Sequence, residues 1–257
     1  MTASMLEVTR DGAVATIRIN RPPANAVNPA LISEFLTVLP PLAADQDVRC
    51  IVITGTGRFF VAGADIAVMR DLSAANQAEM RRWIDVQRLL ELAPKPVIAA
   101  MNGHALGGGA ELSLACDLRI LSSSASFGFP EMSLGLFPGA GGSQRLPRLV
   151  GPHLARRIMI EGERLSPRTA SELGLVDLVA DEPEFAEVVT AQARRLAAKP
   201  TAAIGLLKRV IDEGFGLPIE EALRREEKGV QELTRTADAA EGLQAFLDKR
   251  PPAFTGR

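Results

Sequence analysis

From the N-terminus to about residue 180, short apolar runs alternate with capped helical segments, and then the apolar runs stop. This alternation constrains the fold more than any other feature. Ala13-Val14-Ala15-Thr16-Ile17-Arg18-Ile19 alternates as a half-buried strand does, whereas Val48–Ile53 and Val97–Met101 are nearly continuous apolar runs, the pattern of strands covered on both faces. Asn28-Pro29 is a cap followed by a first-turn proline, and Ile32, Phe35, Leu36 and Leu39 then share one helical face. Met80, Trp83, Ile84 and Leu90 mark another helix, stopped by Pro94 and Pro96. Leu118–Leu121 and Val176–Val179 read as further strands, and Ser166-Pro167 opens a helix that Gly174 closes. From Pro183 onward only helices are predicted, at 183–198, 201–212, 218–235 and 238–249. The expectation is an α/β fold in which residues 1–195 form the core with any active site and 196–257 a helical C-terminal region.

Charge excludes little but directs attention. Twenty-nine basic and 31 acidic residues leave a net charge of -2, and the arginine pairs (Arg81-Arg82, Arg156-Arg157, Arg194-Arg195, Arg224-Arg225) are spread along helices rather than pooled. That is a set of solvated helix faces, and no nucleic-acid partner is expected. Cys50 and Cys116 lie far apart in apolar stretches, with only His104 and His153 as further soft ligands. Neither a zinc site nor a disulfide framework follows, so no metal is expected and the thiols are read as buried and reduced. Met1–Gly12 lacks an apolar core, which argues against a secretory signal. No uncharged apolar run reaches membrane-spanning length. The expectation is a soluble, cytoplasmic protein with no membrane partner.

The glycine-rich loops carry the chemistry. Neither Gly55-Thr56-Gly57 nor Gly103-His104-Ala105-Leu106-Gly107 completes a dinucleotide-binding fingerprint, and no lysine of a phosphate-binding loop follows. Gly107-Gly108-Gly109 instead reads as a tight turn into a helix predicted over Ala110–Cys116, with Glu111 in its first turn, where the amide dipoles favour an anion. The same helix start presents free N–H groups to a ligand. A second carboxylate, Glu131, leaves Phe127-Gly128-Phe129-Pro130. Two positioned carboxylates beside bare amides can move protons while an oxyanion is stabilised, which is enzyme chemistry.

Several motifs in fixed order resemble the crotonase (enoyl-CoA hydratase/isomerase) family over nearly the whole chain. They are Arg21-Pro22-Pro23-Ala24-Asn25-Ala26, Phe60-Val61-Ala62-Gly63-Ala64-Asp65-Ile66, and Pro96–Gly103 running on through Ala105–Leu112. Phe127–Glu131, Gly135–Leu146 and Glu241–Phe246 complete the set. The resemblance implies a spiral of repeated ββα units, a helical C-terminal trimerisation region, and a homotrimer or homohexamer. It implies a coenzyme A thioester as substrate, with no cofactor beyond the coenzyme A that the substrate carries. By motif, the N–H groups of Ala64 and Gly108 form the oxyanion hole, and Ala24, Ala26, Ala62, Ala64, Asp65, Ile66, Gly108 and Gly139 line the substrate and coenzyme A site.

Both hydratase carboxylates are present, so the resemblance is greatest to a 2-enoyl-CoA hydratase. Glu111 would orient and deprotonate the water, and Glu131 would protonate the α-carbon. Two carboxylates about one water should repel, with one titrating high. An isomerase that shifts the double bond from C3 to C2 needs chiefly Glu131 and is the alternative activity. An RNA-binding or scaffold protein on the same fold is the non-enzymatic one. Ala67 stands where many relatives carry a lysine, which leaves Arg21, Arg58 and Arg70 as candidate partners for coenzyme A phosphates. Phe129 replaces a frequent glutamine and either dries the pocket or packs in the core. His104 is read as structural.

Overall fold

The computed structural model describes residues 4–257. Antiparallel β1 (Leu6–Asp11) and β2 (Val14–Ile19) lead into α1 (Pro29–Ala44). The next unit is β3 (Cys50–Gly55) and β4 (Phe59–Val61), followed by α2 (Ile66–Met69), α3 (Ala74–Arg81) and α4 (Trp83–Glu91). A shorter unit has β5 (Val97–Met101), β6 (His104–Leu106) and α5 (Gly108–Leu114). The last comprises β7 (Leu118–Ser122), β8 (Phe127–Gly128), a 3-10 helix (Pro130–Leu134), α6 (Gly142–Val150) and α7 (Pro152–Glu161). The chain continues through β9 (Arg164–Leu165), α8 (Pro167–Glu172) and β10 (Leu178–Ala180) to four helices. These are α9 (Phe185–Ala197), α10 (Thr201–Gly214), α11 (Ile219–Leu233) and α12 (Ala237–Leu247).

From the second ββα unit onward, the first strand of each lies in one sheet and the second strand in another, whereas β1 and β2 both belong to the first sheet. One sheet runs β1-β2-β3-β5-β7-β10 and the other β4-β6-β8-β9, and β2, β3, β5, β7 and β10 pair in parallel. This stacking of ββα turns is the spiral expected from the motifs. The continuous apolar strands are covered on both faces. Ile51, Ile53, Val97, Ala99 and Met101 belong to the large cluster packed by Phe35, Leu39, Val86 and Leu90, whereas Cys50, Val52, Ile98 and Ala100 meet Ala193 and Ala197 of α9 on the other side. Residue 195, where the sequence suggests the core yields to a helical part, therefore lies inside a helix that seals the sheet.

Local signals act as expected at several helix ends. Asn28 Oδ1 accepts from Leu31 N at 2.9 Å, Ser166 Oγ accepts from Thr169 N at 3.1 Å, and Gly174 takes a positive φ of 71°. Elsewhere the structure corrects the reading. The helix expected through Met80 and Leu90 is two helices, because the chain turns at Arg82. The strand expected at Val176–Val179 begins at Leu178, since Asp177 is engaged by Arg119, N to Oδ2, at 2.8 Å before the ladder starts. The helix expected at Ala110–Cys116 is Gly108–Leu114, with Ala115 N and Cys116 N folding back on Leu112 and Ser113 carbonyls. β1 went unpredicted because it is an edge strand with only Leu6 buried.

The C-terminal helices are tied to the core by partly buried cations. Lys208 Nζ of α10 meets Asp117 Oδ2 at 2.8 Å and Lys95 O at 3.1 Å, while Arg49 Nη1 donates to Phe254 O at 2.7 Å. Their outer faces expose Leu207, Ile211, Phe215, Ile219, Leu223, Phe246 and Leu247.

Candidate active site

The site is built where α5 starts. Gly107 adopts φ 52°, ψ -120°, a conformation that side chains resist, and turns the chain from β6 into α5. Gly109 then passes so close to β4 that a Cβ there would lie 2.2 Å from Val61 O. The glycine run is thus a steric requirement for laying α5 against the Val61–Ala64 backbone. Trp83 Nε1 donates to Gly108 O at 3.1 Å and fixes the turn from the other side. Among the described residues, neither Ala64 N nor Gly108 N has an acceptor within the chain. The two segments are in contact, because a Cβ on Gly63 would be 3.8 Å from Gly108 N. Two free amides on adjacent backbone segments are the kind of donors an oxyanion hole requires.

A cavity of about 560 Å³ opens over these amides, a size suited to a small-molecule ligand. Its wall includes Ala62, Ala64, Ile66, Gly108 and Gly139 of the predicted set, together with both carboxylates. Met69, Leu72, Met80, Leu134, Leu136 and Phe137 contribute apolar lining. Ala24, Ala26 and Asp65 do not line it. Ala24 O accepts from Ala62 N at 3.1 Å and Ala26 O from Arg21 Nη1 at 2.9 Å, so both support the wall from behind. Asp65 caps α2 and pairs with Arg21 at 2.6 Å. That pairing engages Arg21 within the chain, whereas Arg58 and Arg70 are exposed.

Glu111 is 3% exposed, and its Oε1 accepts from Ala140 N at 2.8 Å and Gly142 N at 2.9 Å. Burial raises its proton affinity, which the two amides and the Arg145 charge oppose. Glu131, in the first turn of the 3-10 helix, approaches Gly107 so closely that a Cβ there would lie 2.8 Å from Oε1. Its Oε2 is buried without a partner. Burial pushes Glu131 up to about 7, and the charge of Glu111 adds to the rise. The high titration expected from mutual repulsion is therefore present, but its main cause is desolvation. Glu111 is held in one geometry by donors. Glu131 is left with a carboxyl that favours its protonated form.

Phe129 is fully buried and packs edge-on to Phe127 at 5.6 Å. It lies in the core and does not line the cavity. His104 Nδ1 sits 2.9 Å from Ser126 Oγ, away from the cavity wall. Sequence reasoning missed the amides of Ala140 and Gly142 and the indole of Trp83. The run Gly139-Ala140-Gly141-Gly142 was their signal, since four small residues let a backbone close over a carboxylate. Among the described residues, no cluster of three or more metal-ligating side chains occurs, and no helix is long and apolar enough to cross a membrane.

The profile of the family described as Enoyl-CoA hydratase/isomerase matches residues 9–257. A crotonyl-CoA hydratase of Syntrophomonas wolfei is 41% identical over 247 residues, 95% of each chain. A probable enoyl-CoA hydratase of Bacillus subtilis is 40% identical over 249 residues, 96% of each. The crystal structure of an enoyl-CoA hydratase from Bacillus anthracis superposes with a TM-score of 0.94 at 36% identity, covering 99% of this chain and 100% of that one. The family profile over residues 9–257, the identities and the superposition along nearly the full length lead to one conclusion: this chain belongs to the enoyl-CoA hydratase/isomerase family.

Proposed function

We propose that this protein is a hydro-lyase that adds water reversibly across the 2,3 double bond of an enoyl-CoA thioester, giving the 3-hydroxyacyl-CoA. The observation that carries this reading is the pair of carboxylates, Glu111 and Glu131, facing one cavity beside two amides with no acceptor. The thioester carbonyl oxygen accepts from Ala64 N and Gly108 N. Glu111 takes a proton from water as the water oxygen bonds to the β-carbon. The π electrons move onto the thioester oxygen as an enolate, and they return to form a C–H bond with the proton of Glu131. Each amide donor is worth about 3 kcal/mol of transition-state stabilisation by analogy with known oxyanion holes. The proton affinity of Glu131, near neutral, suits an acid that must hold a proton at physiological pH and still release it.

Every step uses carboxylates, backbone donors and water, so the reading assigns no metal or redox cofactor a role. The apolar lining from Met69, Leu72, Met80, Leu136 and Phe137 is suited to the acyl chain. With Arg21 engaged by Asp65, Arg58 and Arg70 are the better candidates for coenzyme A phosphates. The exposed apolar face of the C-terminal helices supports a homotrimer or a dimer of trimers. The balanced surface charge supports no nucleic-acid partner, and the two buried free thiols, pushed up to about 12, fit a cytoplasmic setting. An isomerase would have no use for the amides that aim Glu111 into the cavity. Loss of enoyl-thioester absorbance on crotonyl-, octenoyl- and branched enoyl-CoA tests the assignment. Hydration of at least one supports it, and a double-bond shift without hydration would replace it with the isomerase.

A further inference from the structure

The loop that grips Glu111 is itself gripped. Ala140 N and Gly142 N reach Glu111 Oε1, and the peptide between them belongs to Gly141, which takes φ 105°. Arg145 lies directly against it: a Cβ on Gly141 would fall 1.8 Å from Arg145 Nη1. The same Nη1 donates to Gln87 Oε1 at 2.6 Å and to Ala140 O at 3.4 Å, and Arg145 N donates to Gly141 O at 2.8 Å. Glu91 closes the other side of the guanidinium, Nε to Oε1 at 2.5 Å and Nη2 to Oε2 at 3.0 Å. A two-point ion pair fixes the plane of the guanidinium as well as its position.

Two observations set this pair apart from an ordinary surface bridge. Both side chains are mostly buried, at 15% and 20% exposed. Gln87 is fully buried and turns its oxygen to Arg145, which leaves Nε2 buried with no acceptor. A buried orphan donor costs stability, so an apolar side chain at 87 would serve packing better. Its oxygen is committed instead to the guanidinium.

We propose that Arg145, clamped by Glu91 and Gln87 of α4, is a positioning residue that holds the Ala140–Gly142 amides on Glu111 and so keeps the water-activating carboxylate aligned. This rests on the role given to Glu111 above. The arrangement links α4, whose first residue Trp83 fixes the oxyanion turn through Gly108 O, to the loop that fixes Glu111. One helix thereby sets the distance between the oxyanion site and the water site. Misplacement by about 1 Å of a reacting group can cost about 100-fold in rate.

The groups facing these residues define the pH behaviour. Glu111 faces Glu131 from the 3-10 helix and Arg145 from α6, and Glu91 faces Arg145, Arg88 and, from α10, Asp212. The Arg145 charge favours ionised Glu111. Removing it lets Glu111 keep its proton to higher pH, so the acid limb of kcat/KM moves up.

The experiment compares Arg145→Lys, Arg145→Gln and Glu91→Gln with wild type and Glu111→Gln on crotonyl-CoA, with melting temperature and oligomer size measured for each. Glu91→Gln keeps shape and decides the matter if the arginine variants do not fold. The expected result is kcat lowered about tenfold or more, KM within about threefold of wild type, and an acid limb shifted upward in Arg145→Gln. Folded Arg145→Lys and Glu91→Gln with kcat within about twofold of wild type, or with only KM changed, would overturn the positioning role while Glu111→Gln stays inactive. A fully active Glu111→Gln would instead remove the role of Glu111, and the proposal with it.

Discussion

Glu131 makes a quantitative demand on pH dependence. Its carboxyl stands at about 7, and the largest cause is burial, with Glu111 contributing least. If Glu131 must be protonated to deliver a proton to the α-carbon, the competent fraction is about nine-tenths at pH 6, about one-tenth at pH 8 and about one-hundredth at pH 9. The basic limb of kcat/KM on an enoyl-CoA substrate should therefore bend near neutrality and fall about tenfold per pH unit above it. Stability gives a second readout that does not involve the chemistry. The folded-state value is raised above the ordinary 4.5, so the contribution of neutral Glu131 is fully present below the unfolded value. It is lost as pH rises through the folded one. Melting temperature of wild type should decline relative to Glu131→Gln between about pH 4.5 and 7, then run parallel above. A kcat/KM profile flat from pH 6 to 9, with no differential melting, would refute the buried-acid account of Glu131.

Other expectations concern geometry and assembly. Gly108→Pro removes the amide at a helix position that tolerates proline, and turnover should fall about 100-fold or more with the fold retained; unchanged turnover in a folded variant would take Gly108 out of the oxyanion hole. Gly142→Ala would place a Cβ 3.0 Å from Glu111 Cγ and Oε1 and 2.9 Å from Pro138 Cβ. It should lower kcat and cost about 1–3 kcal/mol of stability by overpacking, and a normal kcat would show that Glu111 has freedom its two amide contacts do not suggest. Light scattering should give a trimer or hexamer, since Leu207, Ile211, Phe215 and Leu223 of the C-terminal helical region are all exposed. A monomer at micromolar concentration would count against that assembly and leave the chemistry untouched.

Sequence reveals this fold where side chains act locally. Asn28, Ser166 and Gly174 end or start helices through their own atoms, and the both-sides-buried strands at Cys50–Gly55 and Val97–Met101 announce themselves by unbroken apolarity. Two-residue and three-residue strands such as Phe127–Gly128 and His104–Leu106 are too short to show a period, and the exposed edge strand Leu6–Asp11 has no buried stripe to detect. The two glutamates and the Gly107-Gly108-Gly109 turn were legible because charge and conformational freedom are written in residue type. What holds them was not. The donors on Glu111 are backbone atoms of Ala140 and Gly142, and Arg145 reaches Glu91 across 54 positions of sequence, a pairing only the folded chain creates. Phe129 shows the converse, since a residue two positions from the proposed acid Glu131 packs in the core.

The central claim is that two carboxylates divide one hydration between them. Glu111→Gln and Glu131→Gln preserve size and hydrogen bonding but exchange no proton. Measured on crotonyl-CoA by loss of the enoyl-thioester absorbance, each should cut kcat by about 100-fold to 10,000-fold. The double variant should be little worse than the weaker single, because groups acting in one step are not additive. Near-normal hydration by Glu111→Gln, with a double-bond shift abolished only in Glu131→Gln, would contradict the hydratase account and make the protein an isomerase.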